Sequence, residues 1–233
     1  MLAIDQGTSA TKALVVDDGG DVLGAAEVPV HPVALDHGGV EQDPDELWQS
    51  VVDAGTAALA DAPAGFRVDA VALANQGETV LPWDRDTGKP LAPALVWQDR
   101  RSADVCERLE RDGWDARLAA LTGLELDPYF AAPKITWLRE HVTRDGVATT
   151  SDTWLLHRLC GAYVTDAATA SRWLLLDLDA AAWSDEACGA FGVDAGTLPA
   201  VVTCAEAVGE TGVFGADVPV CGLAVDQQAA LFA

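Results

Sequence analysis

Short apolar runs separated by turn residues dominate the beginning of the chain. Residues 2–4, 12–16 and 22–28 have the apolar character that predicts three strands. The second and third runs are joined by residues 17–20, Asp-Asp-Gly-Gly, a turn signal typical of a hairpin. A three-stranded meander argues against a dinucleotide-binding βαβ unit, which would place a helix directly after the first strand.

The segment EQDPDELWQSVVDAGTAAL, residues 41–59, predicts the first helix. Asp43 can cap its start, Pro44 suits the first helical position, and Glu46 completes a pattern like a capping box. Apolar residues recur along the segment at helical spacing, so this stripe is expected to face the sheet. The stripe consists of Trp48, Val51, Val52, Gly55 and Leu59.

The remaining runs alternate between strand and helix patterns. Strands are expected at residues 68–74 and 94–96, with a turn-rich connection over 82–90. Helices are expected at residues 101–111, 114–121, 133–142 and 153–160. Residues 165–179 predict a helical turn and then a strand, and residues 218–233 a strand that breaks at Gly222–Asp226 and leads into a helix. This order predicts one α/β domain.

Composition narrows the classes of partner. Half of the 233 residues are apolar, enough for one large domain or two small ones. The formal net charge of −23 disfavours nucleic acid and anionic membranes as partners, and it suits adaptation to high salt or an ordinary acidic protein equally well. Five scattered cysteines without a C-x-x-C pair indicate reduced thiols and a cytoplasmic location. No apolar run approaches the length of a membrane span.

Two familiar catalytic motifs are excluded. Gly88-Lys89 resembles the end of a P-loop, but Pro90 stands where Ser or Thr is required. The G-x-S-x-G elbow of serine hydrolases does not occur in the sequence.

The turn between the first two strands carries the chemistry of a phosphate site. Gly7 permits close approach of the backbone, and Thr8 and Ser9 can donate to phosphate oxygens together with Thr11. Asp5 at the strand end can hold hydrated Mg²⁺. The alternative is a plain polar hairpin whose hydroxyls only satisfy local backbone groups.

Further candidates follow other predicted strands. Asp226 lies where open α/β sheets bind ligands and could orient and deprotonate an attacking hydroxyl in phosphoryl transfer, although Asp often only caps a helix there. Glu78 could accept from substrate hydroxyls. Trp97 and Tyr129 could form an apolar wall, or could simply be core aromatics.

Eight ordered segments carry a family resemblance. They are AIDQGTSATKALVVD, GGVEQDPDELW, ANQGET, PALVWQDRRSADVCERL, TGLELDPYFAAPKITWL, SDTWLLHRL, VTDAATASRWLLLDL and GLAVDQQAALF. Together they resemble the amino-terminal domain of the FGGY carbohydrate kinases, with the glycerol kinases as the nearest branch. The resemblance covers residues 1–233 and implies a ribonuclease H-like, actin-like fold shared with hexokinase and Hsp70.

The resemblance implies a role for specific residues. Contacts to ATP phosphates and Mg²⁺ fall on Asp5, Gly7, Thr8, Ser9 and Lys12, with Asp5 at the metal. Contacts to the polyol or sugar fall on Glu78, Trp97, Tyr129, Asp226 and Gln227, with Asp226 as the catalytic base.

Two departures from the family pattern matter. Gly77 stands where the family has the arginine of NQRET, so up to five hydrogen-bond donors are absent. The space is expected to admit a bulkier acceptor, or to be filled by a water or another side chain. Val225 stands where the family has a glycine, and is expected to be a small perturbation beside the base. Family members also continue into a second domain with the adenine pocket, so this chain is expected to be an amino-terminal half with little activity alone.

The resemblance leaves alternatives open. The acceptor is expected to be glycerol, another polyol, or a ketose such as xylulose. A non-catalytic sugar-sensing domain and an actin-like or Hsp70-like ATPase are the competing classes, and a homo-oligomer is left open.

Overall fold

The first 29 residues form the expected antiparallel meander in the computed structural model, which describes residues 1–232. The strands are β1 (Leu2–Gln6), β2 (Ala10–Val16), β3 (Val22–Pro29), β4 (Val33–Ala34), β5 (Val40–Gln42), β6 (Val71–Asn75), β7 (Val80–Trp83), β8 (Ala94–Leu95), β9 (Val147–Thr150), β10 (Val164–Asp166), β11 (Leu176–Asp177), β12 (Ala182–Trp183), β13 (Ala200–Val202), β14 (Gly209–Thr211) and β15 (Val218–Val225). The helices are α1 (Pro44–Asp61), α2 (Ala103–Arg111), α3 (Asp115–Thr122), α4 (Ala131–His141), α5 (Ser151–Cys160), α6 (Ala167–Ala170), α7 (Asp185–Phe191) and α8 (Asp226–Phe232), with 3₁₀ turns at Asp36–Gly38 and Ala195–Thr197.

The main sheet has six strands in the order β14-β15-β6-β1-β2-β3. Strands β1 and β15 both run parallel to β6, whereas β2, β3 and β14 are antiparallel to their neighbours. In this register Asp5 lies level with Ala74, and Val225 lies level with Asn75. The carboxyl ends of three parallel strands therefore share one edge. The predicted mixed α/β fold is confirmed.

A second sheet has the order β4-β5-β8-β7-β9, and two strand pairs, β10-β13 and β11-β12, complete the pattern. Strand β7 was not predicted, because Pro82 and the turn residues after it hid a short, wholly buried run. It pairs with β9 along its whole length. The side chains of β7 point into two different hydrophobic clusters: Leu81 and Trp83 belong to one, and Val80 belongs to the other.

Helix α1 begins as predicted, with one correction. The Asp43 carboxylate accepts from the Asp45 amide at 2.9 Å, and Pro44 is the first helical residue. The capping-box role of Glu46 is wrong, because its carboxylate accepts from the amide of His31 at 3.2 Å and lies 2.6 Å from that ring's Nδ1. The predicted apolar stripe is off by about one position. The residues that α1 buries are Pro44, Leu47, Ser50, Val51, Ala54, Gly55 and Ala58.

Several other boundaries shift. Strand β6 begins at Val71, three residues later than predicted. Helix α4 begins two residues before Pro133, because proline is tolerated throughout the first turn of a helix. Helix α5 begins at Ser151, which is also two residues earlier than predicted. The strand expected to break at Gly222 continues to Val225, with a bulge before Gly222 in its pairing with β6.

Two hydrophobic clusters lie side by side. The first fills the space between the main sheet and helices α1 and α5, and includes Val51, Leu73 and Trp154. The second lies among α2, α3, α4 and α7, and includes Leu138 and Trp173. Among residues 1–232, none of the helices has both the length and the apolar character that a membrane crossing requires.

Gly24 lies where β3 packs closely against the end of α1. A Cβ at Gly24 would overlap the carbonyl oxygen of Ala58 and lie 2.8 Å from the Ala62 amide nitrogen. We expect Gly24→Ala to lower the free energy of unfolding by about 1–3 kcal/mol in urea titrations. The control is Gly189→Ala in α7, where an added Cβ meets no atom within 4 Å. That change should leave stability unchanged or raise it by up to about 1 kcal/mol. Equal losses in both variants would contradict the close packing.

Candidate active site

The turn between β1 and β2 is tight and open on its outer side. The Gly7 amide donates to the Ala10 carbonyl at 3.1 Å, and a Cβ at Gly7 would lie 3.0 Å from that oxygen. The carbonyls of Thr8 and Ser9 accept from the Gln42 side chain and the Val30 amide, at 2.8 and 3.0 Å. Within residues 1–232 the amides of Thr8 and Ser9 have no acceptor. The tip therefore offers donors outward, as a phosphate site requires.

Three buried glutamines support this turn from below. Gln76 Nε2 donates to the side-chain oxygens of Gln6 and Gln42, at 3.2 and 3.0 Å. Gln6 Nε2 donates in turn to the carbonyl of Gly7 at 2.7 Å. The glutamine cluster thus ties the turn to the loop after β6. This cluster was not predicted, because its only signal in the sequence is a glutamine at or just after each strand end.

Asp5 is the acid at the end of β1. Its Oδ1 is buried and has no hydrogen-bond partner within the described residues. Burial raises the pKa of Asp5, the negative charge of Asp226 raises it further, and Lys12, its register partner on β2, opposes the shift. A buried carboxylate oxygen without a partner is unfavourable, so a cation or its water would stabilise it.

The single carboxylate of Asp5 beside the β1–β2 turn fits a site for Mg²⁺. Among residues 1–232 no group of three or more His, Cys, Asp or Glu side chains lies together as a metal cage. Mg²⁺ is usually held by one or two carboxylates together with substrate phosphates and water, so a single acid beside a phosphate turn fits this ion.

The loop after β6 holds Glu78 in an unusual conformation. Gly77 has φ 65° and Glu78 has φ 44°, and the left-handed region is strained for a glutamate. The Asn75 side chain accepts from the Gly77 amide at 2.8 Å and donates to Thr169 Oγ1 and the Ala224 carbonyl at 3.3 and 3.2 Å. Asn75 therefore fixes this loop against α6 and β15.

Glu78 is buried in an ion pair that the sequence analysis did not predict. Its Oε1 accepts from Arg172 Nε at 2.6 Å, across a separation of 94 residues. Burial raises the pKa of Glu78, the charges of Arg172 and Lys134 oppose the shift, and Asp226 adds to it. Glu78 and Asp226 are thus close enough to interact.

Trp97 and Tyr129 form the expected wall. Their rings meet edge to face with centroids 5.6 Å apart, both side chains are half-buried, and Tyr129 also packs against the second hydrophobic cluster. Trp97 Nε1 donates to Thr8 Oγ1 at 2.8 Å, so the wall is attached to the β1–β2 turn. Burial raises the pKa of Tyr129, and the side chain of Gln227 acts against this shift, which places Gln227 beside the hydroxyl.

Lys134 supports Tyr129 from the interior. Its side chain is fully buried, and Nζ donates to the carbonyls of Pro128, Tyr129 and Phe130 at 2.8, 2.5 and 3.2 Å. Burial lowers the pKa of Lys134 to about 7. A lysine in the first turns of a helix is normally exposed, so its sequence gives no sign of this role.

Asp226 follows the last residue of β15 and is the first residue of α8. Its Oδ1 accepts from the amide of the next residue, Gln227, at 2.7 Å, rather than from an amide farther into the helix as a capping residue would. Burial raises the pKa of Asp226. The charge of Asp226 raises the pKa of both Asp5 and Glu78, so these three carboxylates lie near one another.

The space beside Gly77 is already occupied. A Cβ at Gly77 would lie 2.7 Å from Cγ2 of Val225. Of the alternatives expected at this position, another side chain therefore fills the space next to the Gly77 backbone. Val225, which was expected to be a small perturbation beside Asp226, is the residue that fills this space.

The predicted residues converge on one edge of the main sheet. Gly7, Thr8 and the exposed Ser9 lie in the β1–β2 turn, and the exposed Lys12 follows in β2. At or just after the neighbouring strand ends lie Asp5, Gly77, Glu78, Asp226 and Gln227, and the Trp97–Tyr129 pair is joined to the turn through Thr8. Their binding and catalytic roles stay predictions.

Comparison with known proteins identifies glycerol kinases as relatives of this chain. Over 99% of its length the chain is 43% identical to a glycerol kinase from Allorhizobium ampelinum, and over its whole length 42% identical to one from Trichlorobacter lovleyi. The chain spans about half the length of these curated relatives, 49% of each.

Solved structures of carbohydrate kinases share the fold of this chain. The crystal structure of Plasmodium falciparum glycerol kinase with ADP superposes with a TM-score of 0.92 at 29% identity, covering 98% of this chain and 49% of that one. A xylulose kinase from Lactobacillus acidophilus, at 18% identity and a TM-score of 0.90 over 99% of this chain and 49% of its own, shows the shared fold alone.

The resemblance carried by the eight sequence segments is thus confirmed along the whole chain. The N-terminal domain pattern of the FGGY family of carbohydrate kinases matches residues 1–233, and the chain belongs to that family.

Proposed function

We propose that the complete protein transfers the terminal phosphoryl group of ATP to a hydroxyl of a polyol or sugar. The observation that supports this most directly is the position of Asp5 and Asp226 at the carboxyl ends of two strands that both run parallel to β6, close enough for the charge of Asp226 to raise the pKa of Asp5. Phosphoryl transfer requires a carboxylate at the metal and another at the attacking hydroxyl, and little covalent chemistry from the protein.

Asp226 is proposed as the base. Its raised pKa makes it a better proton acceptor than an ordinary exposed aspartate. Only one of its oxygens is engaged by the Gln227 amide, so the other is available to the acceptor hydroxyl. The base therefore orients the hydroxyl and takes its proton as the new bond to phosphorus forms.

The β1–β2 turn is proposed as the phosphate site. The free amides of Thr8 and Ser9 and the hydrogens of their hydroxyls would donate to phosphate oxygens, Gly7 permits close approach, and Lys12 adds positive charge. Asp5 Oδ1 would hold Mg²⁺ directly or through water. When bound, Mg²⁺ neutralises charge on the phosphates.

The wall of Trp97 and Tyr129 would cover the carbon face of the acceptor, with Glu78 and Gln227 bonding its hydroxyls. The relatives named glycerol kinase make glycerol the first candidate. Another polyol and a ketose such as xylulose are the alternatives within this function. We further infer that a second domain, matching the other half of these relatives, supplies the adenine pocket.

ADP release tests the proposed activity. The complete protein, given Mg-ATP with glycerol, erythritol, xylitol or D-xylulose, should release ADP with at least one acceptor. Residues 1–233 alone should show little or no steady-state rate, since half of the cleft is absent. Release of ADP without any acceptor would indicate an ATPase, and acceptor binding without turnover would indicate a sensing domain.

Asp226→Asn tests the base. In the complete protein we expect kcat to fall by roughly 10²–10⁴ while the KM of the acceptor changes little, because a base acts in the transition state. The control is Asp217→Asn, which removes an exposed charge before the same strand. Equal losses in kcat and acceptor affinity would contradict the assignment.

The charge coupling in the cleft gives a test that does not need activity. Asp226→Asn should lower the pKa of Asp5 toward its ordinary value, because it removes the negative charge that disfavours ionisation of Asp5. Carboxyl ¹³C chemical shifts followed against pH would measure this. Asp18→Asn, an exposed acid in the β2–β3 turn, is the charge-matched control. An unmoved Asp5 pKa would show that the two acids do not share a cleft.

A further inference from the structure

We propose that Arg172 determines acceptor specificity, by donating hydrogen bonds from its terminal nitrogens to the same substrate hydroxyl that donates to Glu78. This inference rests on the proposed function and assigns one recognition element within it.

The chemistry of a hydroxyl shows what the cleft must provide. A hydroxyl donates one hydrogen and accepts through two lone pairs. When ionised, the carboxylates of Asp5, Glu78 and Asp226 only accept hydrogen bonds, so they satisfy the hydrogen and leave the hydroxyl oxygen without a partner. An acceptor with several hydroxyls can therefore be desolvated here only if the cleft also contains donors.

Arg172 is the cation best placed to supply them. It lies just after α6 and donates through Nε to Glu78 Oε1 at 2.6 Å. An arginine has five N–H donors, so this bond leaves the four on its terminal nitrogens. Within the described residues those terminal nitrogens donate to no carboxylate or carbonyl, although the side chain approaches the Tyr129 hydroxyl closely enough to act against the rise in its pKa, and Glu78 Oε2 also has no hydrogen-bond partner.

The position of the guanidinium is fixed by aromatic rings. It lies 4.9 Å from the ring centroid of Phe130 and 5.6 Å from that of Tyr129. Its charge acts on the Tyr129 hydroxyl, so it faces the aromatic wall proposed for the carbon face of the acceptor. A stacked arginine with a defined plane loses little further freedom when it binds a ligand.

The side chain of Arg172 is more exposed than that of its partner Glu78. The Glu78 side chain is 3% exposed and that of Arg172 is 22% exposed, so the carboxylate lies at the floor and the guanidinium at the rim. The strained left-handed backbone of Glu78 is held by Asn75 rather than by the ion pair. Together, Oε2 of Glu78 and the terminal nitrogens of Arg172 form an acceptor–donor pair that complements one hydroxyl.

A purely structural ion pair is the competing explanation. It predicts that loss of Arg172 weakens the binding of every acceptor by the same factor, because it acts only by disturbing Glu78. Recognition of a hydroxyl predicts instead that the effect depends on whether that hydroxyl is present. A comparison of an acceptor with its deoxy analogues separates the two.

The experiment uses the complete protein with Arg172→Met and Arg172→Lys. The acceptor is whichever of glycerol, erythritol and D-xylulose the unmodified protein phosphorylates best, together with its monodeoxy analogues, such as propane-1,2-diol and propane-1,3-diol for glycerol. Arg172→Met should lower kcat/KM for the parent acceptor roughly 10- to 100-fold, as expected for a hydrogen bond from a charged donor. For one deoxy analogue kcat/KM should change less than about threefold.

The conservative variant provides rescue, and a stacked arginine elsewhere provides the control. Arg172→Lys keeps a charge and a donor, so it should recover part of the preference for the parent acceptor. Arg158 also stacks on aromatic rings, 4.7 Å from that of Trp48. Arg158→Met should leave the parent-to-deoxy ratio unchanged, and the KM of ATP should be similar in all variants.

The outcomes are distinct. Equal losses for the parent and all deoxy analogues would overturn the role of Arg172 while leaving the proposed kinase function intact. If the unmodified protein phosphorylates none of the acceptors, the proposed function fails, and the inference fails with it. If Arg172→Met does not fold by circular dichroism, the parent-to-deoxy ratio of Arg172→Lys decides, and a ratio equal to that of the unmodified protein overturns the inference.

Discussion

Parallel pairing of β1 and β15 on either side of β6 is the constraint from which the site follows. Adjacent strands lie about 4.8 Å apart, so two strands separated by a third bring their ends within about 10 Å. Asp5 and Asp226 leave these ends at the same edge. A slip of one residue in either pairing would turn each side chain to the opposite face of the sheet, so the register that buries Leu2 and Ile4 also aims the acids.

Side-chain amides make the strand ends act as one unit. The glutamine cluster links the β1–β2 turn to the loop after β6, and Asn75 links that loop to β15. A side-chain amide can donate and accept, and Gln6, Gln42 and Asn75 do both, so they join backbone segments that cannot bond each other directly. The turn, the Glu78 loop and Asp226 therefore keep fixed relative positions although they are far apart in sequence, and a displacement of one segment is transmitted to the others.

Local signals predicted the local parts of the structure. The meander, the start of α1 and the places of Asp5 and Asp226 depend on turn residues, caps and strand ends within a few positions of one another. The ion pair between Glu78 and Arg172 joins residues 94 positions apart, and the burial of Lys134 depends on three carbonyls that only the folded chain presents. Neither has a local signature. Strand β7 was missed because its proline contradicts the usual preference for strands.

The contact between Gly77 and Val225 constrains how this cleft can change over evolutionary time. Any larger residue at position 77 would meet the Val225 methyl group, and the left-handed backbone there adds strain of its own. The two positions are therefore coupled: a side chain at 77 fits only if the Val225 methyl group moves aside or a smaller residue such as alanine or glycine replaces the valine. Substitutions at 77 and 225 are therefore expected to be accepted more readily together than singly.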